Sequence, residues 1–365
     1  MQAHVAQVMF VVNITCVMFL LFLLSCSSGA LTGRGVAFGE ENMVTPPRYS
    51  MVFIIHGDGN YLYHDSNGIA RRADDETLFE ATKVAILNPE AEVFIFHEKP
   101  RRHVLFFFPR RDGNFYYYRQ GKLIAKESYW RDQGPSRFDP IVERYHRFSA
   151  EKHAEMVRMF LYFGHEIPEF GGTGYDASYK NRIFTIEELA GGLKHMTRES
   201  TKLDLVVLST CFNGTPHSIA TLAPYAQTII ASPDNLHLSY FDLGPLERLD
   251  TGLQNGNVTA FATNFARHAF NRLTEDIQTA VTVAVYDVDS VQTYLQAVGK
   301  SYNHTLAAIK TQQPESLEHC DCADEAIYVT PEIGEGVTIF YRAPGFGRTK
   351  HKLNHSGWEC WRLRQ

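Results

Sequence analysis

Two apolar runs, Met159 to Phe163 and Leu205 to Leu208, each lead into a residue that nucleophilic catalysis needs: His165 after the first and Cys211 after the second. A thiol is a poor nucleophile until it becomes a thiolate. A neighbouring imidazole brings that about by taking the proton and pairing with the negative sulfur. Cys211 therefore reads as the nucleophile, and His165 as general base and then general acid. A lone Cys at a strand end is more often a small buried hydrophobe, so it is the pairing and its order that point to chemistry. His56, with Gly57 behind the run Met51 to Ile55, is a rival base; other expected strands separate it from Cys211.

The elements that must position the pair follow from the pattern. Four or five consecutive apolar residues indicate strands buried on both faces, as in a parallel sheet. Side chains just past the C-terminal ends of such strands gather at one edge, where open α/β folds bind ligands. Between them, Thr185 to Met196 is amphipathic, with Thr185 and Glu188 spaced as a capping box. A right-handed strand, helix, strand crossover then sets the two strands side by side.

Val52 to Ile55 and Val93 to Phe96 read as the first two strands, with a helix near Glu76 to Leu87 between them. Val104 to Phe108, Phe115 to Arg119 and Lys122 to Ala125, broken by turn residues, predict a β-meander inserted on the sheet. Further helices are expected at Pro140 to Met156, Ser218 to Ala223, Val258 to Arg272 and Ser290 to Ile309. Strands are expected at Thr228 to Ala231 and Ala280 to Tyr286, with closing strands at Ile327 to Val329 and Val337 to Tyr341. Gly172 to Gly174 reads as a loop beside His165, since it lacks the strand and helix of a dinucleotide-binding turn.

In this order the residues resemble the clostripain family of caspase-like cysteine peptidases. Carrying the resemblance, over roughly residues 50 to 300, are His165, Cys211, the turn Asp58-Gly59-Asn60, the run Ile229 to Ser232 and the run Thr282 to Asp289. The resemblance implies a three-layer α/β/α sandwich with a mostly parallel central sheet over residues 51–312, followed by an extension over 313–365. It also implies a Cys–His dyad cleaving peptides, with an oxyanion hole from the backbone N–H groups of Glu166 and Cys211. Three positions depart from the family. Glu166 stands where the family has Gly, Ser209 where it has the Asp that helps bind a basic P1 side chain, and Ser232-Pro233 where it has Ser-Glu. Asp234 and Asp242 are candidates to supply the missing acid, solvent-facing loop acids being the plainer reading of both. Lys180 or Arg182 is then a candidate self-cleavage site.

From Val5 to Leu24 the chain is uncharged, and Leu23 to Ser28 resembles a bacterial lipobox in which Cys26 is lipidated. This predicts a signal peptide over 1–26, a tether over 27–50, and a membrane lipoprotein of the bacterial cell envelope facing the periplasm or exterior. The run is also long enough for an uncleaved transmembrane anchor, and no Lys or Arg precedes it. Of the six cysteines, Cys320, Cys322 and Cys360 have no assigned chemistry. An exported compartment permits Cys360 to bridge to one of the other two; a zinc site with His319 has the ligand types but not the usual spacing. No metal or cofactor is expected. The formal net charge of −6 offers no field for nucleic acid, and the pairs Arg101-Arg102 and Arg110-Arg111 look isolated and solvated. The expected partners are protein or peptide substrates and a membrane. The alternative is a catalytically inactive surface lipoprotein serving as a binding or structural module.

Overall fold

The structure is a computed structural model, and it describes residues 46–59, 61–64, 69–105, 107–150, 156–169, 176–182, 184–197, 201–236, 241–249, 253, 257–276, 278–309, 317–347 and 349–363. The lipobox with Cys26, the apolar run before it, most of the tether, Asn60 and Gly172 to Gly174 lie outside the described residues. No described helix is long and apolar enough to cross a membrane.

Nine strands form one sheet. Its centre is parallel: β1 (Tyr49–His56), β4 (Ala91–Glu98), β9 (Val157–Phe163), β10 (Leu203–Ser209) and β11 (Ala226–Ala231). Antiparallel strands extend both sides. Next to β4 lie β7 (Gly113–Arg119) and β8 (Lys122–Tyr129); next to β11 lie β12 (Val281–Asp287) and β14 (Val337–Arg342). The order is β14-β12-β11-β10-β9-β1-β4-β7-β8.

The uninterrupted apolar runs are explained by helices on both faces. Even-numbered residues of β9 and β10, such as Phe160, Tyr162, Val206 and Leu208, meet α2 (Asp139–Phe148), α3 (Ile186–Met196), α4 (Pro216–Leu222) and α6 (Gln292–Ile309). Odd-numbered residues, Met159, Leu161, Phe163, Leu205 and Val207, meet α1 (Ala73–Leu87) and α5 (Val258–Asp276). This is the three-layer sandwich expected, and it places the sheet's C-terminal edge where helix-covered faces end.

Several local expectations change. Thr185 is the N-cap of α3, yet its side chain makes no capping bond; Glu188 instead accepts a bond from Ser136, so no capping box forms. The expected strand Val104 to Phe108 is a hairpin of β5 (Arg102–Val104) and β6 (Phe108–Arg110), folded at Leu105 with φ 49°. Its partners are each other alone, and Arg102 sits opposite Arg110, so the two arginine pairs are not isolated from one another. Helix α2 stops at Phe148, because Ser149 turns extended and the Ala150 N–H bonds buried Glu92. Ile327 lies in a 3-10 turn, not a strand. β1 already begins at Tyr49, inside the expected tether, and β14 of the C-terminal extension belongs to the main sheet. The extension also forms a small two-stranded antiparallel sheet of β13 (Leu317–Asp321) and β15 (Glu359–Leu363), which flank β14 in sequence. A disulfide joins Cys322 to Cys360. That bond removes two of the four ligands a zinc site there needed.

Candidate active site

Phe163 of β9 is paired with Ser209 of β10, and Gly164 N–H donates to Ser209 O at 3.3 Å. His165 and Cys211 are each two residues further along neighbouring parallel strands. They share the odd parity of the α1/α5 face, against which Cys211 packs. The two loops they head are laced together by Asn213. Its Oδ1 accepts from Ile167 N–H at 2.9 Å and from the Thr210 hydroxyl at 2.6 Å, while its Nδ2 donates to Ile167 O at 2.8 Å. Asn213 is fully buried, so these bonds are expensive to lose.

The His165 ring is fixed from β1. Its Nε2 lies 2.9 Å from Gly59 O, and since a carbonyl can only accept, Nε2 carries the proton and Nδ1 is the basic nitrogen. Tyr61 stacks on the ring with centroids 4.3 Å apart, accepts from His165 N–H at 2.6 Å, and faces His56 Nδ1 at 3.4 Å. Gly59 is required for this approach: a Cβ there would lie 2.6 Å from His165 Cδ2. Burial holds the His165 pKa below the usual imidazole value, so the ring is neutral and ready to accept a proton. His56 is a different case. It is buried, its pKa is held well below the usual value by burial and then by Arg137 and Arg131, and it serves as an acceptor for Tyr61.

Behind Gly59 stands a buried ionic network. Asp58 accepts from Arg131 at 2.8 Å and from Ser178 at 2.9 Å; Arg131 also reaches Asp176 at 2.5 Å, and Arg137 reaches Glu98 at 2.6 Å. Burial and a hydrogen bond to Asp176 raise the pKa of Asp58, whereas Asp176 is lowered by that bond and by both arginines. Removing one member of such a network leaves its partner buried and uncompensated, typically costing about 3 to 5 kcal/mol.

Cys211 is part-exposed. Its thiol donates to Asn235 Oδ1 at 3.4 Å, which favours the neutral thiol, and its sulfur accepts the Leu236 N–H at 3.3 Å, which favours thiolate. The next residue, Phe212, is left-handed with φ 52°, and its N–H donates to Asp234 O. His319 of β13 stacks on the Phe212 ring at 3.9 Å and on Trp361 of β15 at 3.8 Å, while Glu359 N–H donates to Gly214 O at 2.9 Å. The C-terminal two-stranded sheet thus grips the loop that carries Cys211.

Of the expected substrate residues, Ser209 is fully buried and its hydroxyl accepts from Phe241 N–H, so it anchors a loop and offers no surface to a substrate. Asp242 accepts from Gly244 N–H and pairs with His268 at 3.0 Å. Its charge is thereby committed to α5. Asp234 remains part-exposed, with one carboxylate oxygen taking the Thr282 hydroxyl. Lys180 is exposed, whereas the Arg182 guanidinium bonds Arg131 O and Ser136 O. Two carboxyls the sequence did not single out as side chains also face this region. Burial and then the charge of Glu169 push Glu166 up to about 8; burial and then Asp234 and Asp321 raise Glu359 far above the usual range. His319, pushed down to about 4 by burial, lies 3.8 Å from Glu166 and 3.4 Å from Glu359. At neutral pH these are contacts between neutral groups, with no cation among them, whatever their ion-pair distances suggest.

The cluster among the described residues able to hold a metal, Asp74, Asp75 and His97, is already met by the Arg72 guanidinium, 3.1 Å from Asp74 and 3.4 Å from Asp75.

No protein-family model matches the chain, and no curated protein matches it. Among solved structures it is similar to an inactive zymogen C11 protease from Parabacteroides distasonis, at 13% identity over 87% of this chain and 92% of that one, with a TM-score of 0.55. It is also similar to iotapain, a secreted C11 cysteine protease from Bacteroides thetaiotaomicron, at 13% identity over 72% and 71% of the two chains, with a TM-score of 0.50. The chain has the caspase-like fold of these proteases. At such identity the likeness is one of fold, and the chemistry has to be argued from the side chains.

Proposed function

We propose that the protein is an exported cysteine endopeptidase with Cys211 as nucleophile and His165 as its base. The observation that carries this is the placement of both residues two positions beyond a paired Phe163 and Ser209, in loops laced by Asn213. With Nε2–H held by Gly59 O, Nδ1 takes the Cys211 proton and the thiolate attacks the scissile carbonyl. The backbone N–H groups of Glu166 and Cys211 donate to the oxyanion, a role that rests on the family resemblance of the sequence. Nδ1–H then protonates the leaving amine, and the same nitrogen activates the water that releases the acyl group. Export and a lipid at Cys26 are supported by the N-terminal sequence alone.

For specificity we favour a basic P1 side chain read by Asp234, with Lys180 as the exposed self-cleavage position. A second reading, a catalytically silent surface module, draws on the contact of Asn235 and Leu236 with the Cys211 sulfur. One set of measurements separates them. Cys211→Ala and His165→Ala should each abolish peptide hydrolysis with the thermal transition kept, and the pair should be no worse than either. A thiol-directed electrophile should label Cys211 far faster than Cys320, whose thiol burial pushes up to about 12. Asp234→Asn should weaken cleavage after Arg or Lys by the equivalent of ~2 to 5 kcal/mol. Hydrolysis that survives Cys211→Ala would exclude the dyad; a parent chain that cleaves no member of a peptide library and resists labelling would favour the silent module.

A further inference from the structure

The β5–β6 hairpin has no role in the site described. Its tip is apolar and bare: Val104, Leu105, Phe107 and Phe108 are 42%, 70%, 82% and 65% exposed. A soluble chain rarely leaves such a cluster in water without a partner for it. Its base is basic. Arg102 and Arg110 are cross-strand partners, with Arg101 and Arg111 next to them and exposed His103 between. The local field is concentrated enough to be felt by Lys99, whose pKa is lowered first by burial and then by Arg102 and Arg110. Among the described residues Asp132 lies 3.8 Å from Arg101, and Arg111 donates to the neutral Ser128 O. In a chain of formal net charge −6 this patch is a local construction, not a reflection of composition.

We propose that this hairpin docks the protein on an anionic lipid surface, the tip entering the headgroup and acyl boundary and the arginines pairing with lipid phosphates. Shape decides for a bilayer over a peptide. Among the described residues the two strands pair only with each other, and a two-stranded hairpin without further walls suits a planar apolar layer better than it encloses a side chain. Apolar residues ringed by Arg suit the interface, where aromatic rings enter and guanidinium groups stay with phosphate. The site would be held near that surface: Arg101 N–H donates to Ser178, whose hydroxyl bonds Asp58 beside Gly59.

The test uses the full chain and a local probe, so that the N-terminal segment cannot mimic the result. Phe107→Trp is mixed with vesicles of phosphatidylcholine alone or with about a third phosphatidylglycerol, carrying brominated acyl chains. The parent, with its three tryptophans, is the blank. The expected result is a blue shift and quenching with the anionic vesicles, at least about fivefold weaker with phosphatidylcholine alone, and reduced about tenfold in half-saturating lipid by Arg102→Gln with Arg110→Gln. No quenching in either vesicle, or equal quenching in both, would overturn the proposal. So would slowed cleavage of a soluble protein by Leu105→Ser with Phe107→Ser when no vesicle quenches, since the tip would then be a protein-binding surface.

Discussion

Glu166 shows how one side chain changes what a position can do. Where the family that the sequence resembles has Gly, this chain places a carboxyl next to His165, the proposed base, and burial together with Glu169 raises it to about 8. Below that pH it is neutral and does not attract a cation strongly. A substrate Arg brought against it favours the carboxylate, so binding below pH 8 expels a proton and strengthens as pH rises, by at most tenfold per unit. We therefore expect kcat/KM for Arg-containing peptides to climb from about pH 6 to pH 8 relative to uncharged peptides, and Glu166→Gln to flatten that climb while sparing the uncharged ones. A Gln variant with the parental slope would show that Glu166 does not meet the substrate. His165 adds a separate limb: its depressed pKa keeps it a competent base below the ordinary imidazole range.

At the scale of elements, the C-terminal two-stranded sheet matters through Phe212. A left-handed non-glycine residue costs roughly 1 to 2 kcal/mol, and the His319 and Trp361 rings hold it in place. His319→Ala should lower kcat about tenfold with KM little changed, as expected for a strain of this size released beside the nucleophile. His319→Phe should restore it by stacking, and Phe212→Gly should make His319→Ala nearly harmless because Gly adopts the conformation freely. If Phe212→Gly does not protect, the stack is not what positions Cys211. The disulfide that closes this region spans 38 residues, and its loss should cost about 4 kcal/mol by chain entropy. The bridge was half legible in the sequence, since Cys360 was expected to pair with Cys320 or Cys322; the grip on Phe212 was not. His319 and Trp361 are far from Cys211 along the chain, and β13 and β15 are too short to carry a periodic signal. By contrast β9 and β10 were legible, because burial on both faces demands unbroken apolar runs, and so was the order His165 then Cys211. Of the residues that orient His165, Gly59 lay in the turn Asp58-Gly59-Asn60 that carries part of the resemblance, whereas Tyr61 just after it was not singled out. Their roles needed the ring contacts to be seen. The pairing of Asp242 with His268 was not legible, because nothing local betrays that partner on α5.

At the scale of the molecule, the sheet's C-terminal edge carries buried titratable groups of both kinds, and their opposition sets the pH of greatest stability. Glu166, Glu359 and Asp58 have raised pKa values, so between about pH 8 and the unfolded carboxylate range the native state binds protons that the unfolded chain does not. Stability rises as pH falls there, by about 2 kcal/mol from pH 8.5 to 6.5 for Glu166 alone. His56, His165, His319 and His355 are lowered by burial. Their contribution is whole above the unfolded value near 6.5 and is lost as pH falls toward the folded values, which for His319 is about 4. Glu98, Asp74, Asp176 and Asp321 are lowered carboxyls, and what they contribute above the ordinary range is lost below it. The three trends meet near pH 6. Urea midpoints should therefore be higher at pH 6.5 than at either 8.5 or 4.5, and Glu166→Gln should reduce the difference between 8.5 and 6.5. A parent chain more stable at pH 8.5 than at 6.5 would mean that the raised carboxyls are ionised in the folded protein, as a cation bound among Glu166, Glu359 and Asp234 would make them.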